Sequence, residues 1–121
     1  SYLESPDGFA RDKEFLQWFI KNARMLYDAG WMPVTYATVN HADVVCERYG
    51  NGKEIYFTLG NLSFSPQKVE LTVDLPALGV ANAVFTEVSR GNAIETSIDG
   101  KTGRVRVTLP ANETWIVKLT K

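Results

Sequence analysis

Three kinds of residue in this sequence could do chemistry: paired carboxylates, a cysteine near a histidine, and flat aromatic rings. Glycosidic bonds are cleaved between two carboxyl groups held roughly 5–10 Å apart. Asp43 and Glu47 stand four residues apart on a stretch that alternates like a strand. That spacing puts them on one face but about 13 Å apart, too far for such a pair. Glu70 and Asp74 repeat the spacing, while Glu87, Glu95, Asp99 and Glu113 fall in expected strands or turns without a companion. The expectation is solvated charge on outer faces and no catalytic residue.

His41 and Cys46 flank Asp43, and with Glu47 they are residue types that could make a nucleophile–base pair or hold a metal. His41 falls in an expected loop, and Cys46 shares a strand face with Val44. A small buried thiol packed as a hydrophobe fits this placement better than a nucleophile. The four residues also lack the spacing of a closed zinc site. Gly50, Gly52, Gly100 and Gly103 border hairpins and open no helix, so no phosphate cradle is expected. No metal and no cofactor is expected. With a single cysteine, no intrachain disulfide can form.

Rigid aromatic plates with polar neighbours can stack on sugar rings. Trp31, Tyr36, Tyr49 and Tyr56 are the candidates for such a platform. Trp31 follows the expected helix stop and equally suits packing between helix and sheet. Tyr56 faces opposite to Ile55 and Phe57, which points it outward. Two glycosylation sequons, at Asn61 and Asn112, are read as chance occurrences.

These residues have to be positioned by one domain, because 121 residues leave no room for two. With 45% hydrophobic and 22% charged residues the chain can fill a core, so intrinsic disorder is not expected. A net charge of −1 gives no attraction to nucleic acid or to an anionic membrane surface. No apolar run approaches the roughly 20 residues that a membrane-spanning helix needs.

Residues 5–27 read as one helix, capped by Ser5 or Asp7 and stopped by Gly30. Phe15, Leu16, Phe19, Ile20, Ala23, Leu26 and Tyr27 form its apolar stripe. Trp18 and Met25 lie on a flank outside that stripe, which makes them candidates for contact with another domain or partner. From Gly30 on the period falls to two. Strands are expected at 33–39, 44–49, 54–59, around 69–73, 80–88, 93–98, 104–109 and 114–119, with Asn51-Gly52 in the first hairpin turn. The fold class expected is mainly β: an antiparallel β-sandwich of about eight strands preceded by one N-terminal α-helix. The division expected is a packing helix over residues 1–30 and a sandwich over residues 31–121.

Several segments carry a resemblance. The run 29–37 (AGWMPVTYA) resembles the junction at which bacterial glycoside hydrolases pass from a (β/α)8 catalytic barrel to a C-terminal β-sandwich. Residues 47–50 and 56–61 resemble the first hairpin of such sandwiches, 73–79 their strand-to-loop segment, and 109–119 their closing strand. The resemblance implies a non-catalytic accessory domain that packs on and stabilises a catalytic domain. The catalytic carboxylates of that family lie on barrel strands, so none maps onto this sequence. For the larger protein it implies a bacterial enzyme of carbohydrate metabolism, with the compartment, secreted or periplasmic among the choices, left open. Two other readings stay open: a carbohydrate-binding module acting through its rings, and a free-standing interaction domain.

Overall fold

The computed structural model describes residues 6–121, with side chains from Gln17 onward except that of Phe19. Ser5, and the side chains of Asp7, Phe15, Leu16 and Phe19, therefore lie outside the described residues. Helix α1 runs Pro6–Ala29. It stops where expected: Gly30 takes φ +87°, and its N–H donates to the carbonyls of Leu26 at 3.0 Å and Tyr27 at 3.2 Å. That left-handed cap satisfies carbonyls the helix itself leaves open.

Nine strands follow: β1 (Trp31–Met32), β2 (Ala37–Val39), β3 (Val44–Tyr49), β4 (Glu54–Asn61), β5 (Gln67–Asp74), β6 (Val84–Glu87), β7 (Glu95–Asp99), β8 (Thr102–Leu109) and β9 (Thr114–Thr120). They form a five-stranded sheet in the order β1-β3-β4-β9-β6 and a four-stranded sheet in the order β2-β5-β8-β7, with every pairing antiparallel. The chain is thus a mainly β, two-sheet protein with its helix at the N-terminal side. Period-two alternation supplies the core. Ile55, Phe57, Leu59, Val117 and Leu119 from one sheet join Val69, Leu71, Val73, Val105, Val107 and Leu109 from the other in one buried cluster.

Of the strand expected over 33–39 only Ala37–Val39 forms, and the chain leading into it changes sheet. Trp31 and Met32 pair with β3, whereas Ala37–Val39 pair with β5. Tyr36 makes the corner with φ +64°, a left-handed backbone that costs a non-glycine residue about 1–2 kcal/mol. The Asp74 N–H, donating to the Tyr36 carbonyl at 2.8 Å, holds the corner in place.

Packing also sets a tight limit at Gly103. A Cβ there would lie 2.8 and 2.9 Å from the ring carbons of buried Phe85 and 3.3 Å from Leu75. Gly103→Ala is expected to cost about 2 kcal/mol through overpacking, read as a lower urea midpoint with an unchanged slope. The double variant Gly103→Ala/Phe85→Leu should recover part of that loss.

Helix α1 lies across the outer face of the five-stranded sheet, over β3 and β4. Its sheet-facing stripe carries Trp18, Asn22, Met25 and Ala29, spaced i, i+4, i+7, i+11. Trp18 and Met25 are the residues expected to contact another domain or partner. Both are half-buried and turned toward the chain's own strands: Trp18 against Ser89 and Arg90, Met25 beside Gly50 and Tyr56. Among the described helix side chains, the exposed large apolar ones are two that were expected to face the core, Ile20 (59% exposed) and Tyr27 (84% exposed). The reason is Asn22. A polar residue sits at the centre of the docked stripe and breaks its apolar pattern.

Candidate functional site: a groove between helix and sheet

The docked helix leaves a groove of about 770 Å³ against the sheet. Ala23 and Leu26 line it from the helix, Tyr49, Thr58 and Ile116 from the sheet, and Trp18 and Arg90 close one end. Alternation builds the floor. Glu47, Thr58 and Ile116 are cross-strand partners on the outer face, as are Trp31, Tyr49 and Tyr56 in the next row. Ile116 is buried although it points away from the core, because this face is roofed over.

Polar groups at the closed end are mutually engaged. The Trp18 indole N–H donates to the Ser89 carbonyl at 3.2 Å, and the Arg90 guanidinium lies 4.7 Å from the centre of the Trp18 ring. Arg90 also donates to the Thr114 carbonyl at 3.0 Å and pairs with Glu113 at 3.5 Å. Glu113 in turn accepts from the Trp115 indole at 3.2 Å.

Behind this end sits Glu87, whose carboxylate the sequence placed among solvated charges. It is in fact 4% exposed. One oxygen accepts from the Ser89 N–H at 2.7 Å, the Ser89 hydroxyl and the Ile116 N–H at 3.2 Å. The other accepts from the N–H groups of Arg90 at 2.9 Å and Asn92 at 3.2 Å. Burial pushes its pKa upward, but the hydrogen bonds outweigh burial and hold it below the ordinary glutamate value. The signal was present: Glu87 has the same strand parity as buried Phe85, and Ser, Gly and Asn follow in a turn.

The other candidates are dispersed. Tyr36 sits at the sheet-switching corner, away from the row of Trp31, Tyr49 and Tyr56. Trp31 is exposed and Tyr49 half-buried with its hydroxyl on Glu47 at 3.2 Å. Tyr56, expected to point outward, does stand on the outer face but is only 8% exposed, so it offers no plate for a sugar ring. Its hydroxyl donates to Glu54 at 2.9 Å. Glu54 also pairs with Lys118 at 3.1 Å, and the Lys118 contact, then that of Tyr56, hold its pKa below the usual value. Burial, and next the Glu47 charge, push the Cys46 thiol up to about 12, so it is not a nucleophile near neutrality. The His41 Nδ1 accepts from the Asp43 N–H at 3.1 Å. Glu70 is engaged by Arg104 and Arg106 on the outer face of the other sheet.

These features define a class: an antiparallel β-sandwich with a helix docked on the outer face of one sheet. Among solved structures, a rhamnosidase from Novosphingobium sp. PP1Y resembles the chain with a TM-score of 0.53 and 20% identity, over 84% of this chain and 10% of that one. At that identity the likeness concerns the fold, and the chain spans about a tenth of the rhamnosidase's length. No protein-family description matches the sequence, and neither does any curated protein.

Proposed function

We propose that this chain is a non-catalytic accessory β-sandwich of a larger glycoside hydrolase, packed on the remainder of that protein through the outer side of α1. The observation that carries this reading is the likeness of most of the chain to a small part of a rhamnosidase. The state of the carboxylates supports it. A general acid needs a raised pKa, whereas Glu54 and Glu87 are both held low by structural partners. Ile20 and Tyr27, seven residues apart on the helix and both exposed, are the side chains on which a neighbouring domain would close.

The double variant Ile20→Asp/Tyr27→Asp tests the packing role. In the isolated chain it should leave the melting temperature unchanged, since both residues are exposed. In the larger protein it should lower the melting temperature of the catalytic part by about 5 °C or more, with turnover at low temperature retained. An unchanged melt in the larger protein, or glycosidase turnover by the 121 residues alone, would overturn the reading.

A further inference from the structure

We propose that the Asn51-Gly52 turn is a self-modifying site, at which the main-chain nitrogen of Gly52 displaces ammonia from the Asn51 carboxamide and leaves an aspartyl or isoaspartyl linkage. The pair lies in the turn between β3 and β4, and both residues are exposed. No described residue hydrogen-bonds the Asn51 carboxamide or the Gly52 N–H. Electrophile and nucleophile are therefore both unheld, and the covalent chain keeps them within reach of each other. A bond from that nitrogen to the Asn51 Cγ closes a five-membered succinimide ring. The Cγ–Nδ2 bond breaks, and ammonia leaves with the proton of the Gly52 N–H. One water then opens the ring. Cleavage of the new N–Cγ bond gives the aspartyl linkage. Cleavage of the original peptide bond gives the isoaspartyl linkage, in which the chain runs through Cβ.

What singles out this asparagine is the residue that follows it. A Cβ on the following residue crowds the attacking nitrogen, and of the seven asparagines only Asn51 precedes a glycine. Asn82 and Asn112 are equally exposed but precede Ala83 and Glu113, while Asn22 and Asn61 are buried with their Nδ2 groups engaged. The fold itself does not require Gly52. Its φ lies outside the left-handed region that Gly30 and Gly50 occupy, and a Cβ there would meet nothing within 4 Å beyond its chain neighbours. The product adds one negative charge to a recess lined by Asp28, Ala29 and Glu54, at the C-terminal end of α1, whose last turn carries no basic residue. Water cannot restore the lost ammonia, so the converted fraction grows with the age of the chain. The inference is independent of the accessory role.

The test is a time course on the purified chain at mildly alkaline pH, where the amide nitrogen loses its proton more readily, read by peptide mass mapping. The expected result is that the peptide carrying Asn51 gains the mass of an NH2-to-OH exchange with first-order kinetics. It should do so at least about tenfold faster than the peptides carrying Asn82 or Asn112. Aspartyl and isoaspartyl forms should both appear, since ring opening gives both and direct hydrolysis of the carboxamide gives the aspartyl form alone. Gly52→Ala should slow the conversion by a similar factor while melting no lower than wild type, because the open space and the ordinary φ accommodate alanine. Should that variant fail to fold, the comparison of Asn51 with Asn82 and Asn112 in the wild-type chain decides alone. No conversion at Asn51, conversion no faster than at Asn82 and Asn112, an aspartyl product alone, or undiminished conversion in folded Gly52→Ala overturns the proposal.

Discussion

Glu87→Ala is expected to destabilise the chain by about 4 kcal/mol, lowering its melting temperature by about 15 °C. The carboxylate accepts from the N–H groups of Ser89, Arg90, Asn92 and Ile116 and from the Ser89 hydroxyl. Water can replace it for Arg90, which is exposed, but not for Ser89 and Ile116, which are buried. Glu87→Gln is nearly as harmful. Both oxygens face at least two N–H donors, so an amide must point its own NH2 at donors whichever way it turns. The pH dependence follows from the lowered pKa. A glutamate whose folded value lies below its unfolded value of about 4.3 stabilises fully above that value. The contribution is lost as pH falls toward the folded pKa. The urea midpoint of the wild type should therefore fall as pH drops below about 5, and Glu87→Gln should flatten that fall. Glu54 also titrates low, but its surface contacts persist in both proteins and cancel in the comparison. Equal acid slopes for the two proteins would show that the cradle does not hold the charged form.

What could be read from the sequence was whatever alternation and turn chemistry dictate. Val69, Leu71 and Val73 face in while Glu70 and Thr72 face out, and Val105, Val107 and Leu109 alternate with Arg104, Arg106 and Thr108. The Gly50–Lys53 turn and the Gly30 stop followed from glycine's access to positive φ. What alternation cannot reveal is a second layer. The outer face of the five-stranded sheet reads as half-solvated, yet Tyr56 and Ile116 are buried there because a helix crosses it. The helix's own orientation was misread for a related reason. Its docked stripe is centred on Asn22, and period analysis counts an asparagine as solvent-facing whatever it packs on. The same assumption hid Glu87 and Arg48. Arg48 shares an inward parity with Val44 and Cys46 and is buried, donating to the Gly50 carbonyl at 3.3 Å and the Thr35 hydroxyl at 3.4 Å. In each case a polar side chain is enclosed because backbone groups at a strand end or turn need a partner, a demand set by tertiary placement.

Asn61 turns that demand into the second large effect. It is 1% exposed at the end of β4. Its Nδ2 donates to the carbonyls of Ser65 at 2.9 Å, Leu109 at 3.1 Å and Pro110 at 3.2 Å, and its Oδ1 accepts from the N–H and hydroxyl of Ser63. One carboxamide thereby ties the β4–β5 loop to the end of β8, and its nitrogen, the atom a glycan would modify, is enclosed in the fold. Asn61→Ala should cost about 3 kcal/mol, leaving Leu109 and Ser63 groups without partners. Asn61→Asp should cost more near neutrality, about 4 kcal/mol, because a carboxylate oxygen replaces the donor and faces three carbonyl oxygens. Those carbonyls, together with burial, raise the folded pKa of the new carboxyl above its unfolded value of about 3.9. A raised acid pKa means that stability is lost as pH rises from the unfolded value through the folded one. The gap between Asn61→Asp and wild type should therefore narrow on acidification, since the protonated form regains one O–H donor for a carbonyl. That slope is opposite in sign to the one Glu87 gives the wild type, and urea titrations at three pH values separate the two. A gap that stays constant with pH would mean that the Asn61→Asp variant reorganises its loop instead of burying the charge.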